Sequence, residues 1–137
     1  MAHGAELRFE VGTAFDLTAR RESTGFNVDR NGRTILAAAD MGTTNGIEVS
    51  PDGQTLYVNE TVQRKVWAFT ILADGGLSGK RLFCEPGSDG MTLDRRGNVY
   101  LTGDGVLVFN PAGKQIEHIK VPQRWTANVT FGGKDRR

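Results

Sequence analysis

The chain has 137 residues, 18 of them glycine, with 38% hydrophobic and 24% charged residues, and 17 Lys and Arg against 16 Asp and Glu give a formal charge of +1. That length supports one domain with an adequate core, and the composition is that of a turn-rich soluble β protein rather than a disordered chain. No apolar run approaches the ~18 residues that span a membrane, and the basic pairs Arg20-Arg21, Arg64-Lys65, Arg95-Arg96 and Arg136-Arg137 fall mostly at predicted turns, so neither a membrane nor a nucleic acid is an expected partner.

Residues 1–24 contain no apolar block of the kind a signal peptide carries, and Cys84 is the single cysteine, which fits a reducing compartment. A cytoplasmic location is therefore expected. Leu7-Arg8-Phe9-Glu10-Val11 alternates like a strand, residues 14–22 read as a loop or a helical turn, and residues 1–24 are kept apart from a β domain expected over residues 25–137.

From Gly25 onward the chain reads as a succession of hairpins. The first is Gly25-Phe26-Asn27-Val28, a turn at Asp29-Arg30-Asn31-Gly32, and Arg33-Thr34-Ile35-Leu36. A second runs Asn45-Gly46-Ile47-Glu48-Val49, turns at Ser50-Pro51-Asp52-Gly53, and resumes at Leu56-Tyr57-Val58. A third combines Lys65-Val66-Trp67-Ala68-Phe69-Thr70-Ile71 with Arg81-Leu82-Phe83-Cys84. The phrase of the second hairpin then returns about 44 residues later, a repeat-protein period, as Asp89-Gly90-Met91-Thr92-Leu93-Asp94, a turn through Gly97, and Asn98-Val99-Tyr100-Leu101. It is followed by Gly105-Val106-Leu107-Val108-Phe109 and Gln115-Ile116-Glu117-His118-Ile119, and by a third inner strand expected at residues 127–131. An inner hairpin followed by an outer one is the blade of a β-propeller.

The expected fold class is thus all-β, a partial propeller of about three four-stranded antiparallel blades, fewer than the roughly four to eight that close a ring. The chain is expected either to be a fragment or to complete the ring as a homo-oligomer. At least eight strands are predicted, with no helix longer than two turns outside residues 1–22. Val49, Leu56, Val66, Phe69, Leu93, Val99, Val108 and Phe131 are the predicted core. Cys84 lies in an apolar strand and is expected to be packed rather than nucleophilic. His3 lies near the terminus and His118 is expected to face solvent, so no Ser-His-Asp triad is evident.

The chemistry sits where the repeats begin. The inner strand of a blade starts at the central channel, so Asn45 and Asp89 are expected to point into one hole from neighbouring blades. A carboxylate and an amide carbonyl are oxygen donors of the kind hard cations such as Ca2+ prefer, although such a cation takes about six to eight of them. Asn-Gly and Asp-Gly are equally ordinary turn dipeptides, and residue type alone leaves both readings open.

Together, residues 45–58, residues 87–100 and Asn128-Val129-Thr130-Phe131-Gly132-Gly133-Lys134-Asp135 resemble, in order and spacing, the gluconolactonase, regucalcin and senescence-marker-protein family of six-bladed propellers, from about Asn27 to the C-terminus. The resemblance implies a hydrolase acting on a small sugar lactone, with one divalent metal, usually Ca2+, held by a Glu, an Asn and an Asp. Asn45 matches the Asn, and Asp89 matches the Asp that is both ligand and candidate acid/base. Neither Glu6 nor Glu10 has the family's Glu-Gly-Pro-like context, and the substrate-contacting Arg and Asn of the intervening blades are not found. Half a metal site, weak in Ca2+, is expected. The alternative is an inactive partial propeller, a structural or binding module or a truncated gene product.

Overall fold

A computed structural model describes the backbone of residues 8–15, 21–28 and 34–134 and the side chains of residues 37–134. Among these residues there are eleven strands and no helix: β1 (Arg8–Phe15), β2 (Arg21–Val28), β3 (Thr34–Met41), β4 (Thr44–Val49), β5 (Thr55–Glu60), β6 (Lys65–Ile71), β7 (Leu77–Cys84), β8 (Met91–Leu93), β9 (Val99–Gly103), β10 (Gly105–Phe109) and β11 (Gln115–Ile119). They form three antiparallel meanders, β1-β2-β3, β4-β5-β6-β7 and β8-β9-β10-β11. The first strands of the three sheets come together, β1 beside β4 and β4 beside β8. The molecule is a partial β-propeller, with two complete blades and a three-stranded one.

The expected hairpin at residues 25–36 is the β2–β3 pair, with Val28 opposite Thr34. The alternation from Leu7 is β1, which pairs with β2 from Arg8↔Val28 to Phe15↔Arg21. Of the stretch read as loop or helical turn, Ala14 and Phe15 end β1 and Arg21 and Glu22 open β2. Residues 16–20, His3, Glu6 and the Arg136-Arg137 pair lie outside the described residues.

Period-two alternation feeds two separate cores, because the middle blade is covered on both faces. Tyr57, Val66, Ala68 and Cys84 pack with Met91, Val99, Leu101 and Phe109 between the second and third blades. Leu56, Val58 and Phe69 pack with Met41 on the side of the first blade. The repeated turns are also equivalent. Gly53 N donates to Ser50 O at 2.8 Å and Gly97 N to Asp94 O at 3.0 Å, each glycine at positive φ, 72° and 81°, where a Cβ would be strained.

Five predicted core residues, Leu56, Val66, Phe69, Val99 and Val108, are buried, and Leu93 and Phe131 are half-buried. Val49 is 37% exposed. It is the last residue of β4, an edge strand, and adjoins the exposed turn at residues 51–54. The third inner strand does not form either, since no described strand pairs with residues 127–131. That segment is tied down by Gly90 N donating to Ala127 O at 2.8 Å and by Phe131 set edge-on to Tyr100 at 5.1 Å.

Candidate functional site

Asn45 is the second residue of β4 and Asp89 lies two residues before β8, so the meeting of these inner strands brings the side chains together. Asn45 Nδ2 donates to Asp89 Oδ1 at 2.7 Å. The other carboxylate oxygen, Oδ2, accepts from Trp125 Nε1 at 3.3 Å. The two residues singled out in the sequence thus share one site, and Trp125, which sequence reasoning missed, is its third member.

The glycines that follow them are not turn glycines. Neither Gly46 nor Gly90 has the positive φ of a turn glycine. Both are points of close approach between blades instead. A Cβ on Gly46 would lie 3.0 Å from Met91 Cγ and 3.2 Å from Asp89 O, and one on Gly90 would lie 2.5 Å from Asn128 Oδ1 and 2.8 Å from Ala127 O. A side chain at Gly90 would displace the backbone at Ala127, whereas one at Gly46 would press first on the Met91 side chain.

A buried polar network fixes the backbone on both sides of Asp89. Asn59, on β5 and 0% exposed, accepts from Ser88 N through Oδ1 at 2.7 Å and donates from Nδ2 to Ser88 O. Ser88 Oγ accepts from Thr102 N at 2.8 Å, and Thr102 Oγ1 accepts from Gly90 N at 2.9 Å and donates to Ala127 O at 3.1 Å. Buried polar side chains persist only when satisfied, and here their partners are the peptides flanking the carboxylate. Asn59 and Thr102 occupy the same place in the two repeats, after Leu56-Tyr57-Val58 and Val99-Tyr100-Leu101. Polar residues closing an otherwise apolar strand were the signal that could have found them.

The other titratable groups nearby have different roles. Glu60 is buried, and its two oxygens accept from Gly42 N and from Trp67 Nε1 at 2.8 Å, a clamp between the first two blades. Cys84 is buried, and burial together with the Glu85 charge pushes its thiol up to about 12, so it is packed rather than nucleophilic. His118 is half-buried at the surface, and its Nε2 bonds Asp104 O at 2.7 Å.

Asn45 and Asp89 fit a hard cation in donor type: turning the Asn45 amide over presents Oδ1 beside the carboxylate. They fall short in number, because no group of three or more His, Cys, Asp or Glu among the described residues is arranged to hold a metal. Glu6 and the side chain of Glu10 lie outside the described residues.

The fold is thus a partial propeller whose adjoining first strands bring an Asn and an Asp together. The sequence matches the family model described as SMP-30/Gluconolactonase/LRE-like region over residues 7–137, and the chain belongs to that family. It is 30% identical over 95% of its length to the 6-deoxy-6-sulfogluconolactonase of Pseudomonas putida, covering 48% of that protein. Among solved structures it is similar to a gluconolactonase from Xanthomonas campestris, with a TM-score of 0.79 and 27% identity over 93% of this chain and 48% of that one. It is also similar to the calcium-binding protein regucalcin from Agrobacterium tumefaciens, with a TM-score of 0.73 and 27% identity over 83% of this chain and 42% of that one. The chain spans about half the length of the relatives it matches.

Proposed function

We propose that this chain carries the water-activating part of a sugar-lactone hydrolase site, with Asp89 as general base and, with Asn45, as ligand to a divalent cation. The observation that supports this most directly is the 2.7 Å contact between Asn45 and Asp89 across neighbouring blades. The names of the relatives supply the substrate class, a small sugar lactone.

Asp89 Oδ1 or Oδ2 takes a proton from a water molecule as the water oxygen attacks the lactone carbonyl carbon. The ring C–O bond then breaks, and Asp89 returns the proton to the departing ring oxygen, leaving the open hydroxy acid. The network around Ser88 and Gly90 keeps the carboxylate from having to reorganise during this transfer. A bound Ca2+ supplies polarisation of the carbonyl. Two protein oxygens make a weak site, in the millimolar range by analogy with weak protein sites, and the remaining donors are water or protein beyond the described residues.

The test is proton release from D-glucono-1,5-lactone in a pH-stat with and without Ca2+. Asp89→Ala is expected to lower kcat by about 10²–10⁴-fold and to abolish Ca2+ binding by calorimetry, whereas Asn45→Ala weakens Ca2+ binding more than turnover. Turnover unaffected by Asp89→Ala would place the site elsewhere. The two-donor count favours a second reading, a binding module without catalysis. Lactone binding without hydrolysis, Ca2+ being present in excess, would establish it.

A further inference from the structure

Trp125 is 59% exposed, yet its position is fixed at several points. The next residue, Thr126, donates from its N–H to Gly103 O at 2.9 Å, and its hydroxyl accepts from Gly103 N at 3.1 Å and donates to Gly105 O. The indole edge lies over Gly103, 3.7 Å from where a Cβ would be, and the indole N–H is held by Asp89. A large aromatic face held rigid, open to solvent and bonded to the candidate base is costly unless something covers it.

The same ring forms one wall of a cavity of about 500 Å³ between the second and third blades, within the size range of small-ligand sites. Its other walls include Val62, Arg64, Pro86, Leu107 and Asp104. Arg64 closes the turn between β5 and β6 with a positive φ of 55°, a conformation that occurs at turns and fixes where its side chain leaves the backbone. Its Cα packs where Gly87 has no side chain. Arg64 and Asp104 form no ion pair with a described residue. Arg64 and Asp104 give the lining one strong hydrogen-bond donor and one acceptor without a net charge, which suits a neutral ligand whose hydroxyls both donate and accept.

We propose that this cavity is the sugar subsite of the lactone site, with the Trp125 ring as the face on which the polyhydroxylated ring lies and with Arg64 and Asp104 bonding its hydroxyls. The identity of the ligand rests on the lactonase reading above. The cavity's connection to Asp89 through one indole does not. Trp125 is thereby both a binding residue and a positioning residue for the carboxylate.

The two roles separate in two variants of the full chain. In pH-stat assays with D-glucono-1,5-lactone, Trp125→Ala is expected to raise KM by about ten-fold or more, the loss typical of a missing apolar contact surface. Trp125→Phe keeps the ring face, so it leaves KM nearly unchanged and lowers kcat through the lost N–H. Binding is read without turnover in Asp89→Asn, whose amide oxygen still accepts from the indole. Its tryptophan emission is expected to change saturably on adding the lactone, and the change is expected to vanish in Asp89→Asn/Trp125→Phe. Lactone turnover with an unchanged KM in Trp125→Ala would overturn the subsite while leaving the lactonase reading in place. Saturable binding of the lactone at Trp125 with no hydrolysis by the unmodified chain would do the reverse. No binding of the lactone at all would remove both.

Discussion

Asn45 and Asp89 stand at corresponding points of two successive repeats, yet the structure holds them differently. Asp89 is half-buried, the peptides on either side of it are bound by Asn59, Ser88 and Thr102, and both its oxygens have donors. Asn45 is exposed, and Asp89 is the partner of its side chain. The carboxylate is preorganised and the amide adaptable, which fits the different roles proposed for them above. The difference traces to the blade behind each residue. Asn59 reaches from the second blade into the start of the third, and Thr102 reaches from the third to Ala127 in the same way. Each of these two blades therefore orders the segment that follows it.

The most severe way to break this arrangement is Asn59→Ala. It leaves the Ser88 N–H without its acceptor inside the blade interface, and losing a buried partner of this kind costs about 3 kcal/mol in total. Thr102→Val costs less, about 1–2 kcal/mol, because Gly90 N still donates to Ala127 O. Urea unfolding of the two variants checks the order. Equal midpoints for Asn59→Ala and the parent chain would mean that the network does not order the Asp89 segment.

The glycines give a smaller contrast. A methyl at Gly90 meets backbone, Ala127 O, whereas one at Gly46 meets chiefly the flexible Met91 side chain. Overpacking costs about 1–3 kcal/mol, so Gly90→Ala is expected near about 2 kcal/mol and Gly46→Ala below about 1 kcal/mol. Thermal unfolding decides it, and a reversed order would show that the third blade yields more readily than the second.

Much of this was legible in the sequence. The period carried by Asn45-Gly46-Ile47 and Asp89-Gly90-Met91 reveals the blades, because each hairpin must alternate apolar residues and place glycine where its turn demands positive φ. Asn45 and Asp89 were visible for the same reason. Val49 and residues 127–131 were misread, since alternation reports which face is apolar and not whether a neighbour exists to cover it or pair with it. Asn59, Thr102 and Trp125 were not singled out because their roles arise from contacts 12 to 36 residues away in the chain; a polar residue closing an apolar strand flags the first two without naming their partners. The bond of His118 to Asp104 O was hidden likewise, since its partner is a backbone carbonyl of another strand's turn.

The smallest expected effect concerns two carboxylates, one on each side of the same contrast. Glu48, on the Asn45 strand, is half-buried with no hydrogen bond to its side chain from a described residue, and burial pushes its pKa above the ordinary 4.5. Asp94, in the Asp89 repeat, is also pushed upward by burial, but hydrogen bonds from Asn98, Arg96 and Tyr100 outweigh this and hold it below the ordinary 3.8. The signs of the linkage are therefore opposite. Stability from Asp94 is present above pH 3.8 and is lost as the pH falls through its depressed value. Stability from Glu48 is present below pH 4.5 and is lost as the pH rises through its elevated value. Glu48→Gln removes the second loss and is expected to raise stability at neutral pH by about 0.5 kcal/mol, with no gain below pH 4.5. Asp94→Asn is expected to flatten the acid limb instead. Urea midpoints measured from pH 3 to pH 8 test both. A gain from Glu48→Gln that is the same at every pH would show that its carboxylate is solvated, and that the inner strand of the second blade is more open than its burial implies.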